Sequence, residues 1–347
     1  MTVLRIVQWT TGKVGMQALR AIMDDPRLEL VGLFAHSAGK VGRDAGELVG
    51  RGAAHVIATA DITDIIALKP DAVIYTPFKS DMDNVLLLLR SGINVVSTNL
   101  FIDSGGMTGD NRARLLAACI EGKSSLFITG VNPGWINMVT AGLTSVCRRV
   151  DHISVRESAD VSNYASRETW VAQGMGQTEV NDDVIAVARG ALISFRDAVL
   201  RLAEALSLPL DDVDFELEHA VTSETVDLGF MSLPKGSNGA LRAEWVGKAD
   251  GCERIRLSVS WYLTRALDSD WTFDDEHYHI DIDGEPSIRT IIDFVAPEWK
   301  GSDWSILTAL PAVNAISAVV AAQPGILGPA DVPLISAARA AWSGTPD

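Results

Sequence analysis

The chain has 347 residues, 29 Lys and Arg against 45 Asp and Glu, a formal net charge of −16, and 47% hydrophobic residues. That balance is globular rather than disordered, and an acidic chain with no basic stripe excludes nucleic acid and anionic membrane surfaces as partners. No apolar run reaches the ~18–20 residues of a membrane span, the opening Met1-Thr2-Val3-Leu4-Arg5 lacks the order of a signal peptide, and Cys119, Cys147 and Cys252 form no metal-ligand pattern, so buried or semi-buried thiols and a cytoplasmic location are expected.

Leu4–Val7 is an apolar run, followed by a Gly-containing turn and a helical stretch over Val14–Met23. Further short apolar runs occupy Leu28–Phe34, Val56–Ile57, Ala72–Tyr75, Asn94–Ser97 and Leu126–Ile128. Helical patterns separate them: one capped by Asp61, then Met82–Leu89 and Asn111–Ile120. Continuous apolar strands alternating with helices mean a parallel sheet covered on both faces, the doubly wound α/β pattern. After Pro133 the pattern changes. Met138–Val146 and Asn181–Ala205 read as helices, and His152–Ser158 as a strand. Leu241–Val246, Ile255–Trp261 and His277–Asp283 alternate with period two. Ser305–Ala341 is Ala-rich and helical, interrupted by Pro324-Gly325 and Gly328-Pro329. The expected fold is thus a Rossmann-type domain over residues 1–134, joined by C-terminal helices 305–347. Residues 135–304 form an α+β domain with an open, largely antiparallel sheet.

The chemistry begins at the first turn. Thr10-Thr11-Gly12-Lys13-Val14-Gly15 joins the first strand to the first helix, where this fold presents helix N–H groups to a pyrophosphate. Gly12 and Gly15 suit the second and third glycines of G-x-G-x-x-G, while Thr10 stands at the first. The second strand ends at Phe34-Ala35-His36-Ser37 without the acid that bonds an NAD ribose. Ser37, Lys40 and Arg43 are there instead and suit a 2′-phosphate, so NADPH is expected over NADH, with NAD still open. His36 borders the adenosine region. Thr76, Pro77, Thr98 and Asn99 end two later strands at the nicotinamide edge. Asn132, in Gly130-Val131-Asn132-Pro133-Gly134, is placed to bond a carboxamide or a substrate. His277 and His279 share a strand face but lack a third ligand, so no metal is expected.

These stretches resemble one family. Ile6–Gly15, Lys40–Glu47, Ser91–Thr98, Thr129–Gly134, Asp283–Pro286, Ala312–Ile316 and Gln323–Ile326 are similar to 2,4-diaminopentanoate dehydrogenase and the native amine dehydrogenases, within the dihydrodipicolinate-reductase-like superfamily. The resemblance implies a homodimeric oxidoreductase with its site between the two domains, moving hydride between a nicotinamide and a carbonyl, imine or amine carbon of a small-molecule substrate. It also implies substrate and dimerisation roles for residues 135–304, and a glutamate just after the fifth strand, binding the amine or imine nitrogen. This chain reads Thr98-Asn99-Leu100-Phe101-Ile102-Asp103 there. A buried cationic amine beside Leu100 and Phe101 would lack a counter-charge. The alternative is therefore a dinucleotide-binding sensor that has lost the catalytic glutamate.

In the second domain Glu157, Asp160, Asn163, Tyr164, Glu168 and Trp170 cluster, and the Gly-rich segment Gln173–Gln177 reads as a flap. Tyr164 is the first choice as proton donor, then Asn132. Leu100, Phe101, Tyr164, Trp170 and Met175 are expected to meet the substrate, with the late tryptophans giving an apolar pocket.

Overall fold

The computed structural model describes residues 2–99, 110–162, 164–273, 277–295 and 305–337. The chain divides into two compact units, Met1–Met138 with Lys300–Asp347, and Val139–Trp299.

The first unit opens with β1 (Leu4–Trp9), α1 (Lys13–Asp24), β2 (Leu28–Phe34), α2 (Ala45–Leu48), β3 (Ala58–Thr59) and α3 (Ile62–Ala67). It continues with β4 (Ala72–Tyr75), α4 (Met82–Arg90), β5 (Asn94–Ser97), α5 (Asp110–Gly122) and β6 (Ser125–Ile128). An irregular turn over Val131–Trp135 leads into α6 (Ile136–Leu143), which ends in a short 3₁₀ turn over Thr144–Val146. Asp61 caps α3 by accepting from the Thr63 amide, as its side chain suggests. The short third strand lies at Ala58–Thr59, slightly later than the Val56–Ile57 run, because Ile57 is instead bridged to Asp44.

The second unit contains β7 (Arg149–Asp160), α7 (Arg167–Ala172), α8 (Asp182–Ala191), α9 (Ile193–Ala205), β8 (Asp212–Val221), β9 (Val226–Asp227) and β10 (Ser232–Leu233). β11 (Asn238–Ala249), β12 (Cys252–Tyr262), β13 (His277–Glu285) and β14 (Ile288–Asp293) complete it. The chain then returns to the first unit with α10 (Ser305–Ala321) and β15 (Gly325–Leu327).

Seven parallel strands form the first sheet in the order β15-β6-β5-β4-β1-β2-β3. Alternate residues of each strand feed opposite cores, which is why the runs are apolar throughout. Val7, Val73, Tyr75 and Val95 pack with Val85, Leu88 and Leu89 of α4 and Leu115 of α5 on one side. Ile6, Ala72, Ile74 and Val96 pack with Ala18 and Ile22 of α1 and Val313 and Ile316 of α10 on the other. Cys119 is buried in the first of these cores, and burial pushes its thiol up to about 11. Cys252, by contrast, is exposed, and all three thiols are free.

Helix α10 ends at Ala321 and, over the described residues to 337, does not resume after the interruption expected at Pro324-Gly325. Pro324 cannot continue a helix, and the residues after it form β15 beside β6. The single helix expected over Asn181–Ala205 is two, broken at Leu192, whose carbonyl accepts from the buried Trp245 indole N–H at 3.2 Å.

The second sheet has the order β14-β13-β7-β12-β11-β8, antiparallel except for β7 with β12. One face is apolar, and α9 packs against it through Phe195, Val199 and Leu202. The other face is a lattice of ion pairs. Arg256 bonds Glu253 (2.7 Å), Glu216 (3.0 Å) and Glu244, while Arg156 and Arg289 share Asp281. No helix among the described residues is long and apolar enough to cross a membrane.

The Arg256 guanidinium, with a smaller contribution from His152, holds the Glu253 carboxyl down at about 2, against an ordinary 4.5. A carboxyl depressed by folding stabilises the native state above its unfolded value and loses that contribution as pH falls through the folded one. Melting temperature is therefore expected to drop as pH is lowered from 4.5 toward 2, and more steeply in the parent than in Glu253→Gln. Calorimetry of both proteins across that range checks it, and parallel curves would refute it.

Candidate functional site: the first strand–helix turn

The end of β1 is organised by a buried amide. Gln8 Nε2 donates to the carbonyls of Trp9 (3.1 Å) and Thr10 (2.9 Å) and to the Thr76 hydroxyl (2.9 Å). Thr10 answers from the other side, its hydroxyl donating to the Thr76 carbonyl at 3.0 Å and its amide to the Phe34 carbonyl at 2.8 Å. These contacts hold Thr10 at φ 72°, left-handed backbone that a β-branched residue rarely adopts. The place of the missing first glycine is thus taken by a threonine clamped into a glycine-like conformation.

The two glycines that follow have different reasons to be glycine. A Cβ on Gly15 would lie 2.4 Å from the Thr10 carbonyl oxygen and 2.9 Å from the Thr76 hydroxyl, so Gly15 lets α1 pack against the turn. A Cβ on Gly12 would meet nothing within 4 Å. Gly12 is the N-cap of α1 and provides no capping side chain, so the first-turn amides are not capped from that position. Exposed Gly12 and Lys13 and half-buried Val14 border this open space, with Thr11 buried behind them. An open cradle, a helix start with no N-cap side chain and a close strand–helix approach are what a bound pyrophosphate requires, and these residues fit a dinucleotide.

Lys40 belongs to the same place. Its Nζ donates to the Thr11 carbonyl at 2.8 Å, bringing the ammonium to the turn from 29 residues along the chain. His36 and Ser37 are exposed at the end of β2, and the His36 ring stands edge-on to Phe34 at 6.1 Å. Trp9 stacks on Phe34 with centroids 3.8 Å apart, fixing the ends of β1 and β2 together.

Thr76 and Pro77 are buried at the end of β4, and Thr98 donates its backbone N–H to the Tyr75 carbonyl at 3.2 Å. The Asn99 amide nitrogen is engaged by the carbonyls of Pro77, at 2.6 Å, and Phe78, so this side chain ties the β4 and β5 loops together. Asn132 lies in extended backbone in the turn after β6. Gly134 there has φ 136°, and its Cβ would fall 2.9 Å from Thr129 Cα. Leu100, Phe101 and Asp103 lie outside the described residues.

In the second unit, Tyr164 is 43% exposed, its ring edge-on to Trp170 at 5.7 Å. Trp170 is buried and donates its indole N–H to the Tyr164 carbonyl at 2.8 Å, while Met175 has no exposed surface. The segment Gln173–Gln177 is not a loose flap. Asn238 grips it through the Gly174 carbonyl (2.9 Å), the Gly176 amide (2.7 Å) and the Gln177 carbonyl (2.8 Å), and His219 Nε2 donates to the Gln173 carbonyl at 2.8 Å. Burial pushes the His219 imidazole below its ordinary value.

Glu157 groups in the sequence with Asp160, Asn163, Tyr164, Glu168 and Trp170; of these, Asn163 is outside the described residues. Glu157 instead lies in mid-β7, half-buried, accepting from the Trp261 indole N–H and the Tyr278 hydroxyl. The period-two pattern of residues 152–158 was the signal that could have placed it. His152 Nε2 is 2.9 Å from Glu253 Oε1. Among the described residues no three His, Cys, Asp or Glu side chains form a metal site.

Comparison with known proteins gives the same architecture. Residues 6–109 match the N-terminal domain of dihydrodipicolinate reductase, and residues 136–344 match the 2,4-diaminopentanoate dehydrogenase C-terminal domain. An amine dehydrogenase of Streptomyces virginiae is 31% identical over 94% of this chain and 96% of its own length. The fold is that of an amine dehydrogenase from Mycobacterium smegmatis, at a TM-score of 0.78 and 19% identity over 96% of this chain and 97% of that one. It is also similar to GenD2 of gentamicin A biosynthesis, solved with NAD, at a TM-score of 0.58 and 16% identity over 95% and 90% of the two chains. The chain belongs to the amine-dehydrogenase-like family of oxidoreductases, which joins a dihydrodipicolinate-reductase-type first domain to the 2,4-diaminopentanoate dehydrogenase C-terminal domain.

Proposed function

We propose that the protein is an NADPH-dependent oxidoreductase transferring hydride to or from a carbonyl, imine or amine carbon of a small, apolar substrate. The observation that carries this reading is the open cradle at Gly12, at a helix start with no N-cap side chain and with Lys40 bonded to the adjoining Thr11 carbonyl. The dinucleotide, when bound, supplies or accepts the hydride. The amides over Gly12–Gly15 and the Lys13 side chain hold its pyrophosphate, as helix N-termini hold anions. Lys40 and Ser37 meet the 2′-phosphate, with His36 beside the adenosine. Thr10 and Thr11 shape the turn. Thr76, Pro77, Thr98, Asn99 and Asn132 orient the nicotinamide end, and Tyr164 or water handles the proton. A working homodimer follows from the family reading, and light scattering tests it. Hydride transfer by purified protein, followed at 340 nm with ketones plus ammonia, with imines and with alcohols, tests the activity. Tight NADPH binding without turnover over that panel would favour the sensor reading instead.

The two glycines separate binding from folding. Gly12 has φ −69° and open space around its Cβ, so Gly12→Ala is expected to keep the parent melting temperature. It should weaken NADPH binding by roughly 10-fold or more, because the methyl occupies the phosphate's approach. Gly15→Ala should lower stability itself, by about 1–3 kcal/mol, through the clash with the Thr10 carbonyl. Thermal denaturation and titration calorimetry check both, and Gly12→Ala binding NADPH like the parent would remove the cradle from the dinucleotide site.

Replacing Lys40 with alanine is expected to raise the Kd for NADPH about 10-fold relative to that for NADH, the loss of one charge-assisted contact. Paired fluorescence titrations of parent and variant with both reduced cofactors measure this. Tighter NADH binding by the parent would overturn the NADPH preference.

A further inference from the structure

Residues 36–55 make two excursions of the chain, both closed on the short strand β3 and the residues just before it. The first carries Ser37, Lys40 and Arg43. Backbone bonds fasten its ends to β3: the Ala35 amide donates to the Thr59 carbonyl (2.8 Å), the Gly42 amide to the Ala58 carbonyl (2.8 Å) and the Ala58 amide to the Arg43 carbonyl (2.9 Å). Within it, the Lys40 and Val41 amides donate to the Ser37 carbonyl, and the Arg43 amide donates to the Lys40 carbonyl. The second excursion, residues 46–55, leaves and returns beside the first, where the Ala45 amide donates to the Val56 carbonyl at 2.8 Å.

Asp44 stands at the junction of the two and is only 8% exposed. Its Oδ1 accepts from the amides of Gly46 (2.8 Å), Glu47 (3.4 Å) and Ala54 (2.8 Å). The Ala54 amide above all, then those of Gly46, Glu47 and His55, holds the carboxyl below the ordinary carboxylate range, so it is ionised at neutral pH. Capping α2 needs only the bonds to Gly46 and Glu47. The bond to Ala54 does something else: it closes the second excursion. That closure is tight, since a Cβ on Gly46 would lie 1.9 Å from the Gly52 carbonyl oxygen. The far side of the excursion is tied to α1, with Arg51 paired to Asp24 and Arg20 Nε donating to the Val49 carbonyl at 3.3 Å.

The first excursion carries the cations. Lys40 is half-buried and places one ammonium hydrogen on the Thr11 carbonyl, which leaves two for a phosphate. Ser37 and Arg43 are exposed. The 2′-phosphate alone separates NADPH from NADH, so discrimination resides in contacts to that group. A loop already fixed makes those contacts without an ordering cost, whereas a loose one loses part of their free energy to being ordered.

We propose that Asp44 is a positioning residue for cofactor discrimination: by closing residues 46–55 it fixes β3 and, through β3, the loop that presents Ser37, Lys40 and Arg43 to the 2′-phosphate. This role rests on the NADPH reading above.

The test uses the full-length protein, with Kd values for NADPH and NADH from fluorescence titration and amide hydrogen exchange of the cofactor-free protein. Asp44→Ala should raise the Kd for NADPH roughly 10-fold and that for NADH no more than about 2-fold, so the preference falls. Adding Lys40→Ala to Asp44→Ala should cost much less of that preference than the same change costs in the parent, because the lysine is no longer held in place. The Gly42 and Ala58 amides should exchange about 10-fold faster in Asp44→Ala, while those of β1 and β4 keep their rates. Asp44→Asn keeps one acceptor oxygen and should fall between the parent and the alanine variant in both measurements; where the alanine variant does not fold, the asparagine variant decides. A carboxylate that merely stabilises the fold would lower the melting temperature and weaken both cofactors alike. An unchanged NADPH-to-NADH ratio, or unchanged exchange at Gly42 and Ala58, would therefore overturn the role of Asp44. A parent with no preference for NADPH would overturn the cofactor reading itself, and the discrimination with it, a result read on the parent alone.

Discussion

The Gln8 side chain sets the geometry on which the first unit's chemistry depends. One amide group serves three acceptors at the end of β1 and reaches from that strand to Thr76 at the end of β4. With both carbonyls of Trp9 and Thr10 drawn toward it, the chain has to turn immediately, and Thr10 turns with a positive φ. The energy that holds a β-branched residue there comes from the Thr10–Thr76 contacts and the burial of Trp9 against Phe34. Helix α1 then starts close enough to the turn that only a glycine fits at position 15. The direction of the helix amides follows from a hydrogen-bonded strand end more than from a glycine-rich loop. An unclamped threonine in this conformation would cost of order 1–3 kcal/mol.

That clamp also explains which parts of the molecule were legible in the sequence. The parallel strands were readable because each is apolar on both faces and bounded by turn residues, a local signal. The left-handed Thr10 was not, because its conformation is imposed by Gln8 and by Thr76, which is 66 residues away. β8 is hard to read for a similar reason. Its sequence, Asp212-Val-Asp-Phe-Glu-Leu-Glu-His, puts an acid at every other position and looks like a solvated loop. Those acids face cations on neighbouring strands: Lys248 meets Asp214, Arg256 meets Glu216 and Arg242 meets Glu218. The break in the long helix at Leu192 likewise rests on the Trp245 indole, 53 residues away. Local pattern carries the elements that bury their own faces, and non-local polar partners decide the rest.

The site divides along the same line. Gly12, Gly15 and Lys40 were visible because the turn's position between strand and helix is itself local information. That Lys40 reaches the Thr11 carbonyl required the structure. Glu157 stood within a run already read as a strand, yet its charge suggested solvent. Its partners Trp261 and Tyr278 are 104 and 121 residues distant. Conversely, Gln173–Gln177 looked mobile because it is glycine-rich, but Asn238 and His219 bind its backbone from β11 and β8. Glycine content there reflects two left-handed positions, Gly174 and Gly176, and the close approach of His219 to the first of them.

The two faces of the second sheet hold their carboxylates with different donors, arginines on one and an indole and a phenol on the other. On the charged face, acids share arginines: Arg256 alone meets three, so those carboxylates already have cationic partners. Such networks stabilise at neutral pH and offer little to a ligand cation, which would have to displace a guanidinium already well bonded. On the apolar face, an indole and a phenol hold Glu157. Those two donors lower the cost of keeping a carboxylate in a half-buried setting by satisfying its oxygens.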